Sequence, residues 1–335
     1  MLRWRGLGDL PGSWGRCVVT IGVFDGVHRG HQELISRTVA AAAERGLPSV
    51  MLTFDPHPSE VLRPGSHPAQ LTTLRRKAEI VEGLGIDVFC VLPFTLELSR
   101  LLPEEFVHEV LVDRLHAAAV IVGDNFTFGA KAAGTVELLR TLGRRFGFAA
   151  YGAELQGKEL SEEDQSAITF SSTYVRSCID AGDVVAAAEA LGRPHRLEGI
   201  VVRGDGRGHE LGYPTANLST PRFAAVPADG VYSAWFTRSA DPKRRLRAAV
   251  SVGTNPTFSG RERTVEAFVL DVDEDFYGQH VAIDFVTRLR DQVRFADSAG
   301  LVAQIDDDVV RTRKALELPP DALTGDEQGI TRSRT

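Results

Sequence analysis

Short apolar runs and amphipathic stretches alternate along the first half of the chain. Cys17–Phe24 (CVVTIGVF), Ser49–Phe54 (SVMLTF), Asp87–Leu92 and Ala119–Val122 are continuous apolar runs rich in β-branched residues. Between them, apolar positions recur every three or four residues. That spacing predicts helices over His31–Arg45, Leu74–Leu84, Pro103–Leu115 and Thr135–Phe146. Gly46 stops the first of these, and Glu104 and Glu105 occupy the first turn of the third. Strands that alternate with helices imply a parallel sheet covered on its faces, the Rossmann-like α/β arrangement. Two shorter helices, Tyr174–Ile179 and Val184–Leu191, close this region.

The pattern changes after Gly192-Arg193-Pro194. Strand-like pieces now follow one another with Gly and Pro between them: Leu197–Val202, Gly230–Thr237, Ala248–Val252, Thr264–Asp271 and His280–Arg290. Such a succession predicts an antiparallel barrel or sandwich. Leu301–Leu316 reads as one terminal helix, and the chain is polar beyond Pro319. The expected organisation is therefore an α/β domain over residues 1–190, a β domain over 191–320 and a polar tail over 321–335.

Composition adds limits rather than detail. The 335 residues are 43% hydrophobic and 25% charged, enough apolar material for two cores. A net charge of -7 argues against a broad nucleic-acid footprint, which shows as a basic face. Cys17, Cys90 and Cys178 are far apart and odd in number, which supports neither a zinc site nor a disulfide framework. No signal-peptide pattern and no run long enough to span a bilayer is present, so no membrane partner is expected and the cytoplasm is the expected compartment.

The sharpest local signal in the first domain is Gly22-Val-Phe24-Asp-Gly26-Val-His28-Arg-Gly30-His31, where the first strand hands over to the first helix. Ligands of open α/β sheets bind at the carboxyl ends of strands, and a helix N-terminus favours anions. Gly22, Gly26 and Gly30 allow close approach to the backbone. His28 and His31, three residues apart, share a face and can donate to a phosphoryl group as charge builds on it. On residues alone, a Gly-rich turn whose histidines merely cap the helix stays open. Two dinucleotide and nucleotide signatures, GxGxxG and the P-loop, are absent.

The second domain carries Arg203-Gly204-Asp-Gly206-Arg207-Gly208-His-Glu-Leu-Gly-Tyr213-Pro214-Thr215-Ala-Asn217. Alternate glycines give a loop with exposed amides, suited to phosphates. Thr215 and Asn217, two apart, point the same way in an extended segment and offer hard oxygen donors suited to magnesium. Glu266 lies within Val265-Glu-Ala-Phe-Val-Leu-Asp271, on the side of Phe268 and Leu270 and opposite Val265, Ala267 and Val269. A carboxylate among apolar side chains needs a partner or a function, and could serve as a general base toward an alcohol. An edge-strand Glu reaching water remains the bland alternative.

Taken together, these stretches resemble the prokaryotic bifunctional riboflavin kinase/FMN adenylyltransferase (FAD synthetase) family. The resemblance rests on GVFDGVHRGH, on Thr53-Phe-Asp-Pro-His57-Pro58, on Val122-Gly-Asp-Asn125-Phe-Thr-Phe128-Gly129 and on Ser171-Ser172-Thr173-Tyr-Val-Arg176. In the second domain it rests on Leu211-Gly-Tyr-Pro-Thr-Ala-Asn217, on Gly253-Thr-Asn-Pro-Thr-Phe258 and on the Glu266 strand, and it covers roughly residues 17–316. It implies a nucleotidyltransferase α/β domain followed by a six-stranded β-barrel with a terminal helix. It implies that riboflavin is phosphorylated to FMN by ATP, and that FMN is then adenylylated to FAD. His28 and His31 would stabilise the adenylyl-transfer transition state. Gly22, Phe24, Gly30, Asn125, Ser172, Thr173 and Arg176 would hold ATP and its phosphates, and His57, Pro58, Phe128 and Arg290 would approach flavin. Gly204, Gly206 and Gly208 would close over ADP, Thr215 and Asn217 would support Mg2+, and Glu266 would activate the ribityl hydroxyl. Mg2+ would enter with ATP as co-substrate, without a tightly bound flavin and with oligomer formation left open.

Three departures stand out. Tyr213 occupies a position where the family has Phe, and Leu289-Arg290-Asp-Gln292-Val-Arg294-Phe295 places Gln where the family has Glu and Arg where it has Lys. A nucleotidyltransferase acting on another phosphate ester and fused to a barrel, a flavin-binding protein without turnover, and a chain with one active module are the rival readings; the PTAN and GTNPTF stretches disfavour the first, and the Gln292 stretch makes the kinase the module to test.

Overall fold

In the computed structural model, the described residues are 1–317 apart from 66, 154–156, 159–167, 205–211, 258–259 and 296. They form two compact units, one of Met1–Pro68 with Thr72–Ser172 and one of Ala69–Leu71 with the chain from Thr173 onward.

The first unit is built on a parallel sheet. Its strands are β1 (Leu2–Arg5), β2 (Cys17–Ile21), β3 (Ser49–Asp55), β4 (Val88–Pro93), β5 (Ala117–Gly123) and β6 (Ala149–Ala153), six in the order β1-β4-β3-β2-β5-β6. Every pair is parallel. The helices are α1 (Arg29–Arg45), α2 (Pro58–Leu62), α3 (Leu74–Gly83), α4 (Pro103–Phe106) and α5 (Val136–Phe146). A parallel sheet buries both faces, so its strands need not alternate in polarity, and all five residues of β2 are buried. Cys17, Val19 and Ile21 join Leu111 and Leu139 on one face. Val18 joins Leu34 and Ile35 of α1 and Ala78 and Val81 of α3 on the other.

Two strands of this sheet were not expected. β1 (LRWR) buries only Trp4, and its alternating arginines hide it from any apolar-run criterion. β6 (AAYGA) is made of residues with little strand preference, and its pairing along β5 supplies the order. The helix expected over Pro103–Leu115 is α-helical only to Phe106 and runs on as a π-helix over Val107–Arg114.

In the second unit, α6 (Ser172–Ala181, of which Ser172 falls in the first unit) and α7 (Val184–Leu191) precede six strands: β7 (His195–Val202), β8 (Thr215–Ser219), β9 (Gly230–Arg238), β10 (Asp241–Thr257), β11 (Gly260–Val269) and β12 (His280–Arg290). They close into an antiparallel barrel in the order β8-β11-β10-β9-β12-β7. Tyr232, Ala234, Phe236, Val250, Ala267 and Phe285 fill its interior. Ile305 and Val309 of α8 (Ser298–Ala315) cover Ala249, Phe268 and Leu270 on the outside. β10 begins seven residues before the apolar run Ala248–Val252, because the basic stretch up to Arg247 pairs with β9.

Candidate functional sites

The turn from β2 into α1 holds the histidines. His28 is the N-cap of α1 and His31 lies in its first turn. The two rings stack with centroids 3.7 Å apart and planes inclined by 26°. Phe24 meets the His31 ring edge-on at 5.1 Å. Gly30 suits this packing, since a Cβ there would lie a tight 3.2 Å from the His28 ring. Gly22 faces the Phe24 ring in the same way, at 3.1 Å.

Backbone strain is concentrated here. Phe24 has φ 51°, Gly26 81° and Val27 42°. A left-handed β-branched residue such as Val27 is a genuine outlier, persisting only where its surroundings over-determine it. Val27 N–H donates to Phe24 O at 3.2 Å, and Gly26 N–H to Thr72 Oγ1 at 3.2 Å. Burial, then the neighbouring His28 and Lys77, hold the His31 pKa well below the usual histidine range. His31 is thus a neutral imidazole at neutral pH, with one ring N–H to donate and a buried Nδ1 that has no hydrogen-bond partner among the described residues.

The other N-terminal candidates occupy varied settings. Asn125 is exposed in the loop beyond β5, at the carboxyl edge of the sheet. His57 caps α2, its Nδ1 accepting from Ser59 N–H at 3.1 Å, with Pro58 in the first helical position. Phe128 is buried in the core between Phe126 and Phe106. Ser172 Oγ donates to Asp25 O at 2.8 Å. In the second unit, Thr173 lies in the first turn of α6, and Arg176 Nε donates to Ala69 O at 2.7 Å.

The barrel site forms on the outer face of β8 and β11. Ala216 and Leu218 point into the core, so Thr215 and Asn217 face outward, half-buried. Glu266 is paired directly with Asn217 across the two strands. Thr215 Oγ1 approaches Glu266 Oε2 at 3.5 Å, which supplies the polar partner that an outward carboxylate beside Phe268 needs. On its other side Glu266 is paired with Ser251 of β10. The backbone of Gly204 lies against the Asn217 amide, leaving no room for a Cβ. A cleft of about 990 Å³ opens beside Asn217, lined by Arg203, Leu218, Thr254, Arg263 and Val265. Gly206 and Gly208 lie outside the described residues.

Arg290, a flavin candidate, makes a forked ion pair with Asp308 of α8, with Nη2–Oδ2 at 2.7 Å and Nε–Oδ1 at 2.9 Å. Gln292 turns its amide inward. Nε2 donates to Ser251 Oγ and Val252 O at 2.9 Å each and reaches Gly230 O at 3.4 Å. Backbone carbonyls can only accept, so this position uses a donor that a carboxylate lacks. Sequence reasoning passed over Ser251, Lys77 and the Asp229 carboxylate that accepts from Thr254 Oγ1 at 2.6 Å. Lys77 alone carried a signal: it shares the buried stripe of Leu74, Ala78 and Val81 at helical spacing.

Magnesium can be judged from this donor set. Two neutral oxygens and one carboxylate on one half-buried face suit a hard cation that keeps waters and substrate oxygens. Among the described residues no group of three or more His, Cys, Asp or Glu forms a dedicated cage. Cys17 and Cys90 are free and buried, and burial pushes both thiols up to about 12.

A β-barrel carrying an oxygen-rich face and a parallel sheet carrying a histidine pair at a helix start define a phosphoryl- and nucleotidyl-transfer class of protein. Residues 11–167 match the family model for FAD synthetase and residues 191–316 that for riboflavin kinase. The bifunctional riboflavin kinase/FMN adenylyltransferase of Escherichia coli K12 is 33% identical over 89% of this chain and 92% of its own length. That of Pseudomonas fluorescens is 37% identical, over 94% and 97%. A crystal structure described as a macrolide-efflux protein from Streptococcus pneumoniae matches with TM-score 0.82 at 30% identity, covering 93% of this chain and 99% of that one. The chain belongs to the bifunctional riboflavin kinase/FMN adenylyltransferase family. Among the described residues no helix is long and apolar enough to cross a membrane.

Proposed function

We propose that the chain makes FAD from riboflavin in two ATP-dependent steps, with phosphorylation assigned to residues 191–320 and adenylyl transfer to residues 1–190. The observation that carries this reading is that each matched family model holds the centre of one of two chemically different sites, His28 and His31 in one and Thr215, Asn217 and Glu266 in the other. One offers stacked imidazole donors at a helix start. The other offers a carboxylate beside hard oxygen ligands.

In the kinase step, Glu266 accepts the proton of the ribityl 5′-hydroxyl as its oxygen attacks the γ-phosphorus of ATP and the bond to ADP breaks. Thr215 and Asn217 would hold Mg2+, which when bound neutralises charge on the phosphates. The Gly204–Gly208 loop covers those phosphates. Outward placement of Glu266 serves this step, because the base must meet a substrate rather than the barrel interior.

In the second step an FMN phosphate oxygen attacks the α-phosphorus of ATP, and the bond to pyrophosphate breaks. The nucleophile is already anionic, so no strong base is needed, and alignment and charge stabilisation suffice. His28 and His31 donate to the developing charge, backed by the N-terminus of α1. Gly22, Phe24, Gly30 and Asn125 serve the nucleotide, and Ser172, Thr173 and Arg176 the departing phosphates. His57, Pro58, Phe128 and Arg290 are assigned to flavin recognition by resemblance alone. The Phe128 ring, packed in the core, would act through the shape of its loop, and Arg290 through its tether to Asp308.

A product time course tests the proposal. Protein, riboflavin and magnesium-ATP should give FMN first and FAD after it. Bound flavin without ADP or pyrophosphate would replace the enzyme with a binder.

A further inference from the structure

The strained turn between β2 and α1 is held through its carbonyl oxygens. Val23 O accepts from Lys77 Nζ at 2.7 Å and from Thr53 Oγ1 at 3.0 Å. Phe24 O accepts from Val27 N–H at 3.2 Å. Asp25 O accepts from Ser172 Oγ at 2.8 Å, and Val27 O from Gln32 Nε2 at 2.8 Å. With Val23 O and Asp25 O bonded to Lys77, Thr53 and Ser172, the left-handed geometry of Phe24 and Val27 is held from both sides by donors outside the turn as well as by its own Val27–Phe24 bond.

Lys77 is the one cation among these donors, and it is only 6% exposed. An ammonium in such a place is costly unless paired and hydrogen-bonded. Its neighbours on the α3 stripe are Leu74, Ala78 and Val81, where an apolar side chain of similar length would pack without that cost. Burial lowers the Lys77 pKa, and Asp25 and Asp55 act in the opposite direction. Asp25 is itself oriented by Thr72, whose N–H donates to Oδ1 at 3.2 Å.

We infer that Lys77 is a positioning residue for adenylyl transfer: its ammonium pins the Val23 carbonyl, and the pinned turn sets the His28–His31 pair against the nucleotide phosphates. This rests on the adenylyl-transfer reading of the first unit. The ammonium also acts electrostatically on His31. The charged or titratable groups acting on His31 are His28, stacked on it from the start of α1, and Lys77 from α3, while the carboxylates Asp25 and Asp55 act on Lys77. Lys77 therefore adds to the effect of burial in keeping His31 neutral, as a donor on an anionic reaction path.

The test uses the full chain with Lys77→Met, which keeps length and packing and removes the charge and the donor. Conversion of FMN to FAD and of riboflavin to FMN would be measured separately, and the His31 ring titrated by NMR. The expected result is a fall of about 10²-fold in kcat for FAD formation, the scale of losing one preorganised donor arrangement. Riboflavin phosphorylation should stay unchanged, and the His31 midpoint should rise because a repelling cation is gone. A side chain that only fills space would leave that midpoint in place. Should Lys77→Met fail to fold, Thr53→Val removes the other donor to Val23 O and should cost FAD formation about tenfold, one hydrogen bond's worth. Wild-type rates in a folded Lys77→Met protein, or an unmoved His31 midpoint, would overturn the inference, and so would an unimpaired Thr53→Val. Absence of FAD formation in the wild type would instead sink the adenylyl-transfer reading itself.

Discussion

The two sites solve opposite problems. At the β2–α1 turn His28 is buried and His31 half-buried, the backbone is strained at Phe24 and Val27, and the working side chains are stacked imidazoles. On the barrel, Thr215, Asn217 and Glu266 stand half-buried on regular strands, with no positive φ among them. The difference follows the nucleophile. A phosphate ester is ionised already, so its site needs fixed donors in a dry setting, where electrostatic stabilisation is strongest. An alcohol must lose a proton, so its site needs a solvated acceptor placed within reach. Rigidity is concentrated where chemistry is pure alignment.

Glu266→Ala puts the largest strain on this contrast. Loss of the base should lower FMN formation from riboflavin by about 10²–10⁴-fold, while FMN supplied directly is still converted to FAD. The mirror experiment, His28→Ala with His31→Ala, should lower FAD formation by at least about 10²-fold and leave riboflavin phosphorylation alone. Separated flavin products over time report both. Equal loss of both reactions in either variant would mean that the sites are not chemically independent.

Much of this was legible because periodicity and motif agreed. Four strands of the parallel sheet are apolar runs buried on both faces, and β12 matches its expected span, His280–Arg290, at both ends. The stacked histidines follow from their spacing at a helix start. What escaped depends on partners distant in sequence. β1 and β6 are ordered by the strands beside them, not by their own residues. The inward Phe128 and the Arg290–Asp308 pair could not be foreseen, since a motif names residues without saying which side of the backbone they occupy. Lys77 reads as an exposed lysine unless its place on the Leu74–Val81 stripe is weighed against its charge.

Gln292→Glu, which restores the family residue, comes next in size. A carboxylate would lose the donation to Ser251 Oγ and Val252 O and face carbonyl oxygens with negative charge. Losing these bonds at an exposed side chain costs about 1 kcal/mol each, so the melting temperature of the variant should fall. A variant as stable as the wild type would show that the local backbone adjusts, and that the Gln is a matter of composition rather than hydrogen bonding.

Tyr213→Phe, the other restoration, should have the smallest effect and the clearest pH signature. The Tyr213 hydroxyl donates to Asp306 Oδ1 at 2.6 Å, tying the start of β8 to α8, while its ring meets Phe268 edge-on at 5.3 Å. Phe keeps the ring contact and loses one exposed hydrogen bond, worth about 1 kcal/mol or less. The bond to Asp306 raises the Tyr213 pKa above the ordinary tyrosine value. A pKa raised on folding gives stability that is fully present below the unfolded value, near ~10, and is lost as pH rises through the folded one. Denaturant melts should therefore separate the two proteins at pH 7 and bring them together in alkali. A gap that persisted at high pH would assign the difference to packing on Phe268 instead of to the tether.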